Sequence, residues 1–326
     1  MFRNADAALP RRIGIAALAL QSGRCASLEV AMDPATTSPG SAPDDDPLAA
    51  ASAACDGAER LFHENRHVEA EAASRRAAAL LVNFAGADAK AVAKARIRAC
   101  SLLGLALREQ GRYDEAAGPF LEAIRLAEVR WGQESAALPA LLNNYGVLCK
   151  YWGHYDEGEA AYRRALAIVD ARHGPDSLQS ATLYHNLGGL EHSRRRFAAG
   201  EPLARRAWEI RRRHLGDEHL ATLMDQVAWA GLLDGLGRQA EAEPIYRRAL
   251  LVYEQRLGPD HFEVAATLNN LGMARAAQGD REEARILLDR SLAIKTKLLG
   301  PGHPGTLLTR RNLAALAPPP PTPPTP

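Results

Sequence analysis

The feature that most constrains this chain is a glycine that recurs every 42 residues. It stands at Gly132, Gly174, Gly216, Gly258 and Gly300. A fixed period of about 20 to 50 residues is typical of repeat proteins, in which each short unit buries its apolar face by stacking on its neighbours. Because such an array extends its core in one dimension, a chain of 326 residues needs no single large core. The period predicts a repeat array and favours a binding protein over an enzyme.

Two further series of small residues follow the same 42-residue step, twelve positions apart. The first contains Gly146, Gly188 and Gly272, and the second contains Gly158. Small residues at both positions suit two antiparallel helices whose backbones cross closely, because a larger side chain would overpack the crossing. Between the series runs a turn such as Trp152-Gly-His-Tyr-Asp-Glu-Gly158, whose glycine permits the positive φ that ends a helix. Each unit is therefore predicted to be helix, turn, helix.

The link between units also repeats. It reads Leu215-Gly-Asp-Glu-His219, Leu257-Gly-Pro-Asp-His261 and Leu299-Gly-Pro-Gly-His303. Glycine closes one helix and proline prevents its continuation. We expect a nearby Asp, Ser or Thr to cap the next helix, because its side-chain oxygen can accept an N–H group of the first turn.

These residues resemble the tetratricopeptide repeat, in the 42-residue variety of kinesin light chains and many bacterial relatives. The family signature reads here as Gly146, Gly153 with Tyr155, Gly158, Tyr162 and Ala165-Leu166. The resemblance covers roughly residues 50–316, as six helical pairs and one closing helix near Gly305 to Leu316. It implies an all-α, right-handed superhelical solenoid that binds a protein or peptide partner and has no catalytic residues, cofactor or metal.

The sequence departs from the family pattern in three units. In the first, Ala70 lies 46 rather than 42 residues before Ala116, so we expect a four-residue insertion near Val82 to Asp88. The fourth unit has Arg195 in place of the turn glycine, and the sixth has Arg281 in place of the tyrosine. Terminal repeats are expected to be atypical because they cap the stack.

Composition divides the chain into three parts. Residues 33–47 are rich in proline, serine and aspartate and are expected to be disordered, and residues 317–326 are a proline-rich tail. The predicted organisation is a disordered or weakly signal-like segment over residues 1–47, the repeat array over 48–316, and the tail over 317–326.

A short apolar run near the start has two interpretations. Ile13 to Leu20, behind Arg11 and Arg12, resembles a weak secretory signal but is too short to span a bilayer as a helix. Alternatively, translation starts at Met32, and residues 1–31 are an extension that the protein does not use.

Charge and cysteine usage exclude several classes of function. The net charge is +1, from 40 basic and 39 acidic residues, so no overall field attracts nucleic acid or a membrane surface. The four cysteines form neither a disulfide framework nor a zinc pattern. Cys100 and Cys149 fall at interior positions, where a thiol behaves as a small hydrophobe. We therefore expect a cytoplasmic protein with no nucleic-acid or membrane partner.

One short motif fits a zinc metalloprotease. His63-Glu64-Asn65-Arg66-His67 matches H-E-x-x-H, whose chemistry needs both histidines on one helix. In the repeat register, Asn65 takes the place of the turn glycine and His67 that of the tyrosine. The motif is therefore predicted to straddle a turn and to hold no metal.

Two other polar patterns each have a functional and a structural interpretation. His185 and His192 lie about 10 Å apart along one helix, which favours polar groove lining over a paired ligand site. Arginine pairs recur every 42 residues and suit an acidic partner or phosphates, but the neutral overall charge favours a solvated convex face. The pairs and two nearby clusters are Arg163-Arg164, Arg205-Arg206, Arg247-Arg248, Arg194 to Arg196 and Arg211 to Arg213.

The resemblance implies which side chains line the concave groove. In the family, the groove is lined by the positions two and three residues before the small residue of each first helix. Here these positions include Asn143, Asn144, His185, Asn186, Asn269, Asn270 and Asn312. In the family, asparagines at the second position hold the main chain of the ligand, since an amide both donates and accepts. We expect these side chains to face solvent. The alternative is an asparagine that hydrogen-bonds the neighbouring helix.

Side chains one turn further along the same face differ between the two ends of the groove. Arg108, Lys150 and Tyr151 are predicted to form an electropositive end. Met224, Val227, Gly231, Met273 and Ala276 are predicted to form an apolar end.

The sequence thus favours a non-enzymatic scaffold that binds an extended peptide. Two alternatives stay open. One is a regulatory sensor whose groove holds a small effector or its own tail, Pro318 to Pro326, and the other is an exported structural protein of the envelope.

Overall fold

The computed structural model describes residues 46–82, 84 and 88–316, and over these residues the chain is entirely α-helical. The helices are α1 Pro47–His63, α2 His67–Leu81, α3 Ala89–Glu109, α4 Tyr113–Trp131, α5 Leu138–Trp152, α6 Tyr155–His173, α7 Leu178–Ser193, α8 Phe197–Leu215, α9 Leu220–Gly235, α10 Gln239–Leu257, α11 Phe262–Ala277, α12 Arg281–Leu299 and α13 Pro304–Ala314. The prediction of six helical pairs and a closing helix is confirmed.

Several sequence-based expectations fall outside the described residues. They concern residues 1–45, the tail over 317–326, and residues 83 and 85–87 of the expected insertion. Among the helices that the structure describes, none is long and apolar enough to cross a membrane.

The described residues group into two compact units. The N-terminal unit comprises residues 46–190 with 203–216, and the C-terminal unit comprises 191–202 with 217–316. The N-terminal unit is built around buried side chains such as Phe120, Leu141 and Tyr162. The C-terminal unit has its own core, which includes Tyr246 and Leu268.

The small residues of the first helices lie where two helices cross. A methyl group added at Gly146 would stand 2.6 Å from Cε1 of Tyr162, and one added at Gly104 would stand 2.9 Å from the ring of Phe120. Real carbon contacts are longer than this, so only glycine lets the aromatic ring of the second helix cover the first. The predicted close crossing is confirmed.

The turns inside the pairs keep a left-handed backbone even where glycine is missing. Gly153, in the third pair, has φ 88°, while Asn65 and Arg195 take its place in the first and fourth pairs with φ 59° and 60°. An arginine in this region crowds its Cβ against the backbone, at a cost that glycine avoids.

Replacing Arg195 with glycine is expected to stabilise the protein by about 0.5–1 kcal/mol. Glycine removes the energetic cost of holding a non-glycine residue in the left-handed region. This gain is partly offset because glycine has a larger backbone entropy in the unfolded chain, which is lost on folding. Chemical denaturation of wild type and Arg195→Gly checks this. A variant less stable than wild type would mean that the Arg195 side chain stabilises the turn by more than its backbone strain costs.

The caps of the first helices are of two kinds. Oδ1 of Asp88 accepts from the N–H groups of Lys90 and Ala91 at 2.9 and 3.0 Å, and Oγ of Ser177 accepts from Ser180 at 3.1 Å. The expectation of Asp, Ser or Thr caps is thereby confirmed for α3 and α7. It is wrong for α9, α11 and α13, whose N-caps are the histidines of the linkers, His219, His261 and His303.

Acidic linker residues join successive repeats. Asp176 pairs with Arg213 at 3.0 Å and Asp260 with Lys297 at 2.6 Å, in each case with a base at the end of the next second helix. These pairs are exposed, so they contribute little to stability. They show that part of the recurring basic charge serves repeat-to-repeat contacts.

Candidate functional site

Asparagines of α5 and α7 are the predicted groove residues of the N-terminal unit. The Nδ2 group of Asn186 donates to Oδ1 of Asn143 at 2.6 Å, and both side chains are buried. The pair links the first helices of consecutive repeats. For Asn143 and Asn186 the structure therefore supports the alternative in which the amide bonds a neighbouring helix.

Asn144 differs from these two neighbours. Its side chain is half-buried, and no residue in the described part of the chain is hydrogen-bonded to it. His185, in the same unit, is 9% exposed. Asn144 is therefore the asparagine of this unit whose amide is available to a partner.

The C-terminal unit repeats the amide pairing. Oδ1 of Asn269 accepts from Nδ2 of Asn312 at 3.0 Å and from Thr309 Oγ1 at 3.1 Å, and its Nδ2 group donates to Asn270 at 3.4 Å. The first two of these bonds join α11 to α13, and the third lies within α11. The expectation that the groove asparagines face solvent is wrong for Asn186 and Asn270, which are 2% and 1% exposed.

Two of the buried asparagines have an unsatisfied hydrogen-bond donor. The Nδ2 groups of Asn143 and Asn270 have no hydrogen-bond partner among the described residues, although both side chains are 1% exposed. An unsatisfied buried donor costs about 1–3 kcal/mol, so such groups are rare in proteins unless they have a role. In the N-terminal unit the Asn143 oxygen links two helices while its own N–H groups are unused. In the C-terminal unit Asn269 makes the link, and the unused N–H groups are those of Asn270.

The predicted electropositive end is not an exposed positive surface. Arg108 is 8% exposed and pairs with Glu109 at 2.6 Å. Lys150 is 4% exposed, and its Nζ lies 4.8 Å above the ring of Tyr151. The ring of Tyr151 stacks on Tyr113, with centroids 6.5 Å apart and planes 18° apart. This end is therefore lined by aromatic rings, with both cations largely removed from solvent.

The H-E-x-x-H motif is divided by a turn, as predicted. The first helix ends at His63, Asn65 adopts the left-handed conformation, and the second helix begins at His67. The ring of His67 packs edge-on against Phe62 at 5.2 Å. In residues 46–82, 84 and 88–316, no group of three or more His, Cys, Asp or Glu side chains could hold a metal ion.

The described cysteines have unreactive surroundings. Burial raises the pKa of the Cys55, Cys100 and Cys149 thiols to about 11 in each case. A thiol with this pKa carries almost no thiolate near neutral pH, so it is a poor nucleophile. The predicted interior position is confirmed for Cys149, which is fully buried, while Cys100 is half-buried.

The recurring arginines are mostly used within the protein. Arg163 bonds Glu159 at 2.9 Å, Arg164 bonds Glu128 at 2.6 Å, and Arg247 bonds Glu283 at 2.8 Å. Arg206 pairs with Asp176. Arg211 is buried and donates to Thr182 Oγ1 at 2.8 Å. These contacts support the structural interpretation of the arginines.

Sequence reasoning missed a buried lysine in α12. Lys295 is 0% exposed, and its Nζ donates to Oγ1 of Thr309 on α13 at 2.8 Å. Burial lowers its pKa to about 8, since no carboxylate lies close enough to offset the loss of hydration. The register gave a partial signal: the positions 42, 126 and 168 residues earlier hold Tyr253, Val169 and Ala127, but the position 84 residues earlier holds Arg211, which is also buried.

Family comparison agrees with the repeat geometry. Models of the tetratricopeptide repeat match residues 96–131, 137–213, 179–255, 226–297 and 263–317. The chain belongs to the tetratricopeptide repeat family. No curated protein gave a significant match to the whole chain.

Solved structures share the fold at low sequence identity. BtubC (BKLC) from P. vanneervenii is 22% identical with a TM-score of 0.53, over 81% of this chain and 95% of that protein. A Podosopora anserina putative kinesin light chain with nearly identical TPR-like repeats is 20% identical with a TM-score of 0.53, over 62% and 95%. A Rap protein complexed with competence and sporulation factor is 13% identical with a TM-score of 0.56, over 83% and 71%. These likenesses confirm the all-α repeat fold, and kinesin light chain-like proteins are among the neighbours.

Proposed function

We propose that this tetratricopeptide repeat protein is a non-enzymatic scaffold that binds an extended segment of a protein partner along its first helices. The observation that carries the proposal is the amide of Asn144, which is half-buried and forms no bond to a described residue.

An extended main chain supplies what the Asn144 amide lacks. A carbonyl group of the segment accepts from Nδ2 of Asn144, and an N–H group donates to its Oδ1 atom. Main-chain bonds of this kind hold a segment without selecting its side chains. The stacked rings of Tyr113 and Tyr151 add an apolar surface for one of those side chains.

Two further points support the proposal. A Rap protein of similar fold is known complexed with competence and sporulation factor, so a related array accommodates a bound factor. The buried thiols, whose pKa is raised by burial, suit the reducing cytoplasm, where we place the protein.

Replacing Asn144 with alanine is expected to weaken partner binding by about 0.5–1.5 kcal/mol, the usual worth of a neutral hydrogen bond, and to leave stability unchanged. The partner is first captured with wild-type protein and identified by mass spectrometry, and its affinity for both proteins is then measured by calorimetry.

Two matched variants separate binding from folding. Asn186→Ala removes a buried bond and should lower stability by about 1–3 kcal/mol. Arg163→Ala changes an exposed side chain on a second helix and should alter neither property. If Asn144→Ala binds as tightly as wild type while Arg163→Ala binds weakly, the working surface is the arginine-bearing face and the proposal is wrong.

A further inference from the structure

The first helices of the C-terminal unit share an unusual cap. Nδ1 of His219 accepts from the N–H of Ala221 at 3.2 Å, Nδ1 of His261 from Glu263 at 3.1 Å, and Nδ1 of His303 from Gly305 at 3.0 Å. The three histidines are spaced 42 residues apart. The same contact therefore begins α9, α11 and α13.

This cap exists only while the imidazole is neutral. A ring nitrogen that carries a proton is a donor, so a protonated histidine cannot accept the helix N–H group. The positive charge of a protonated ring also opposes the partial positive charge of a helix N-terminus. Protonation of the ring therefore removes the bond and adds a repulsion.

Two first helices of the N-terminal unit, α3 and α7, are capped by groups that do not titrate in mild acid. Serine Oγ begins α7 and Asp88 begins α3, while α5 has no side-chain cap. The hydrogen bonds from the N–H groups of Ala91 and Lys90 hold the pKa of Asp88 below its usual range, so it stays ionised well below pH 5.

Acids beside two of the histidines in the sequence form ion pairs with bases. Glu218, beside His219, pairs with Arg256 of α10 at 3.5 Å, and Asp260, beside His261, pairs with Lys297 of α12 at 2.6 Å. Glu263 of α11 and Asp217 of the preceding linker are further acids close to these caps in the sequence.

His303 has a cation instead of an acid nearby. Burial and the charge of Lys295 hold the pKa of His303 below its usual 6.5. Arg310 and Arg311 of α13 are exposed. Because the folded state then binds fewer protons than the unfolded state, the stability that this cap contributes is present above pH 6.5 and is lost as the pH falls through the lowered value.

We propose that His219, His261 and His303 make the C-terminal unit an acid-sensitive part of the protein. When these rings are protonated in acid, α9, α11 and α13 lose their N-caps, and these repeats open more often while the caps of α3 and α7 are kept. The inference concerns folding and holds whether or not the groove binds a peptide.

The test is hydrogen exchange of the full chain, measured by mass spectrometry at pH 7.5 and 5.5 with exchange times scaled to the intrinsic rates. Loss of one cap is expected to raise the opening equilibrium of α9, α11 and α13 about fivefold, and about a hundredfold where the three open in concert. The first turns of α3 and α7 should change less than about twofold.

A triple variant identifies the sensors. His219→Asn, His261→Asn and His303→Asn together replace each cap by an amide that caps well and does not titrate, so the pH difference should disappear. The single variant His303→Asn provides the same test at α13 alone, should the triple variant fold poorly. His63→Asn, at an exposed histidine that is no N-cap, should keep the wild-type response.

Three outcomes would overturn the inference. They are a C-terminal unit whose opening is the same at both pH values, an asparagine variant that keeps the full acid response at its own helix, and a His63→Asn variant that loses it.

Discussion

Replacing Gly188 with leucine is expected to destabilise the protein by about 3 kcal/mol or more, the upper end of the usual cost of overpacking. A Cβ atom at this position would stand 3.1 Å from both the backbone nitrogen and the Cβ of Ala204, and 3.3 Å from its Cα. At Gly146 the obstacle is a side-chain ring, but here it is the backbone of α8, which cannot rotate away. The two helices must separate to admit the larger residue.

The damage should also change how the protein unfolds. In an array where each repeat contacts only its neighbours, a weak central contact lets the two sides unfold separately. Urea denaturation of Gly188→Leu, followed by circular dichroism, is therefore expected to show two phases. Gly118→Leu is the matched control, because an added Cβ there meets nothing within 4 Å. A single transition at the wild-type midpoint for Gly188→Leu would contradict the assigned crossing.

Replacing Lys295 with methionine is expected to stabilise the C-terminal unit by about 1–3 kcal/mol at pH 7. The ammonium group is fully buried with one neutral partner, Thr309, and methionine fills a similar space without the cost of burying a charge. Loss of one neutral hydrogen bond offsets only about 1 kcal/mol of this gain.

The pH dependence gives a second signature of the same lysine. Its pKa is lowered from 10.5 to about 8 in the folded protein, so between these values the unfolded chain binds more protons than the folded one. Wild-type stability should therefore rise with pH from about 8 to 10.5 and be level below 8. In Lys295→Met this rise should be absent. Lys297→Met, at an exposed lysine, should keep it.

Urea denaturation at pH 7 and at steps from pH 8 to 10.5 measures both effects. A Lys295→Met protein that is less stable than wild type at pH 7 and still gains stability from pH 8 to 10.5 would contradict this account of the lysine.

The sequence predicted the fold well because the repeat constrains it many times over. The 42-residue step at Gly146 and Gly188 located the helix crossings, and the structure places both glycines against the second helix. The turn glycines located the helix ends. Even the exception, Arg195, keeps the left-handed backbone that the other turns have, because the neighbouring helices impose it.

The candidate site was predicted less well, since the register tells which face a residue occupies but not what packs over it. Asn186 and Asn270 have the expected positions, yet each is almost fully buried and hydrogen-bonded to another asparagine of the array. The caps at His219 and His261 were missed for a different reason. Histidine is a less common cap than aspartate or serine, so the linker pattern suggested the acid or hydroxyl beside it.

The central claim is that a partner lies along the first helices, and site-directed photo-crosslinking tests it most directly. A photoreactive residue is placed at position 144 on α5 or at the exposed position 163 on α6, and each protein is irradiated with the captured partner. The account predicts crosslinks from position 144 and none from 163. Crosslinks from position 163 alone would contradict it and would move the binding surface to the second helices.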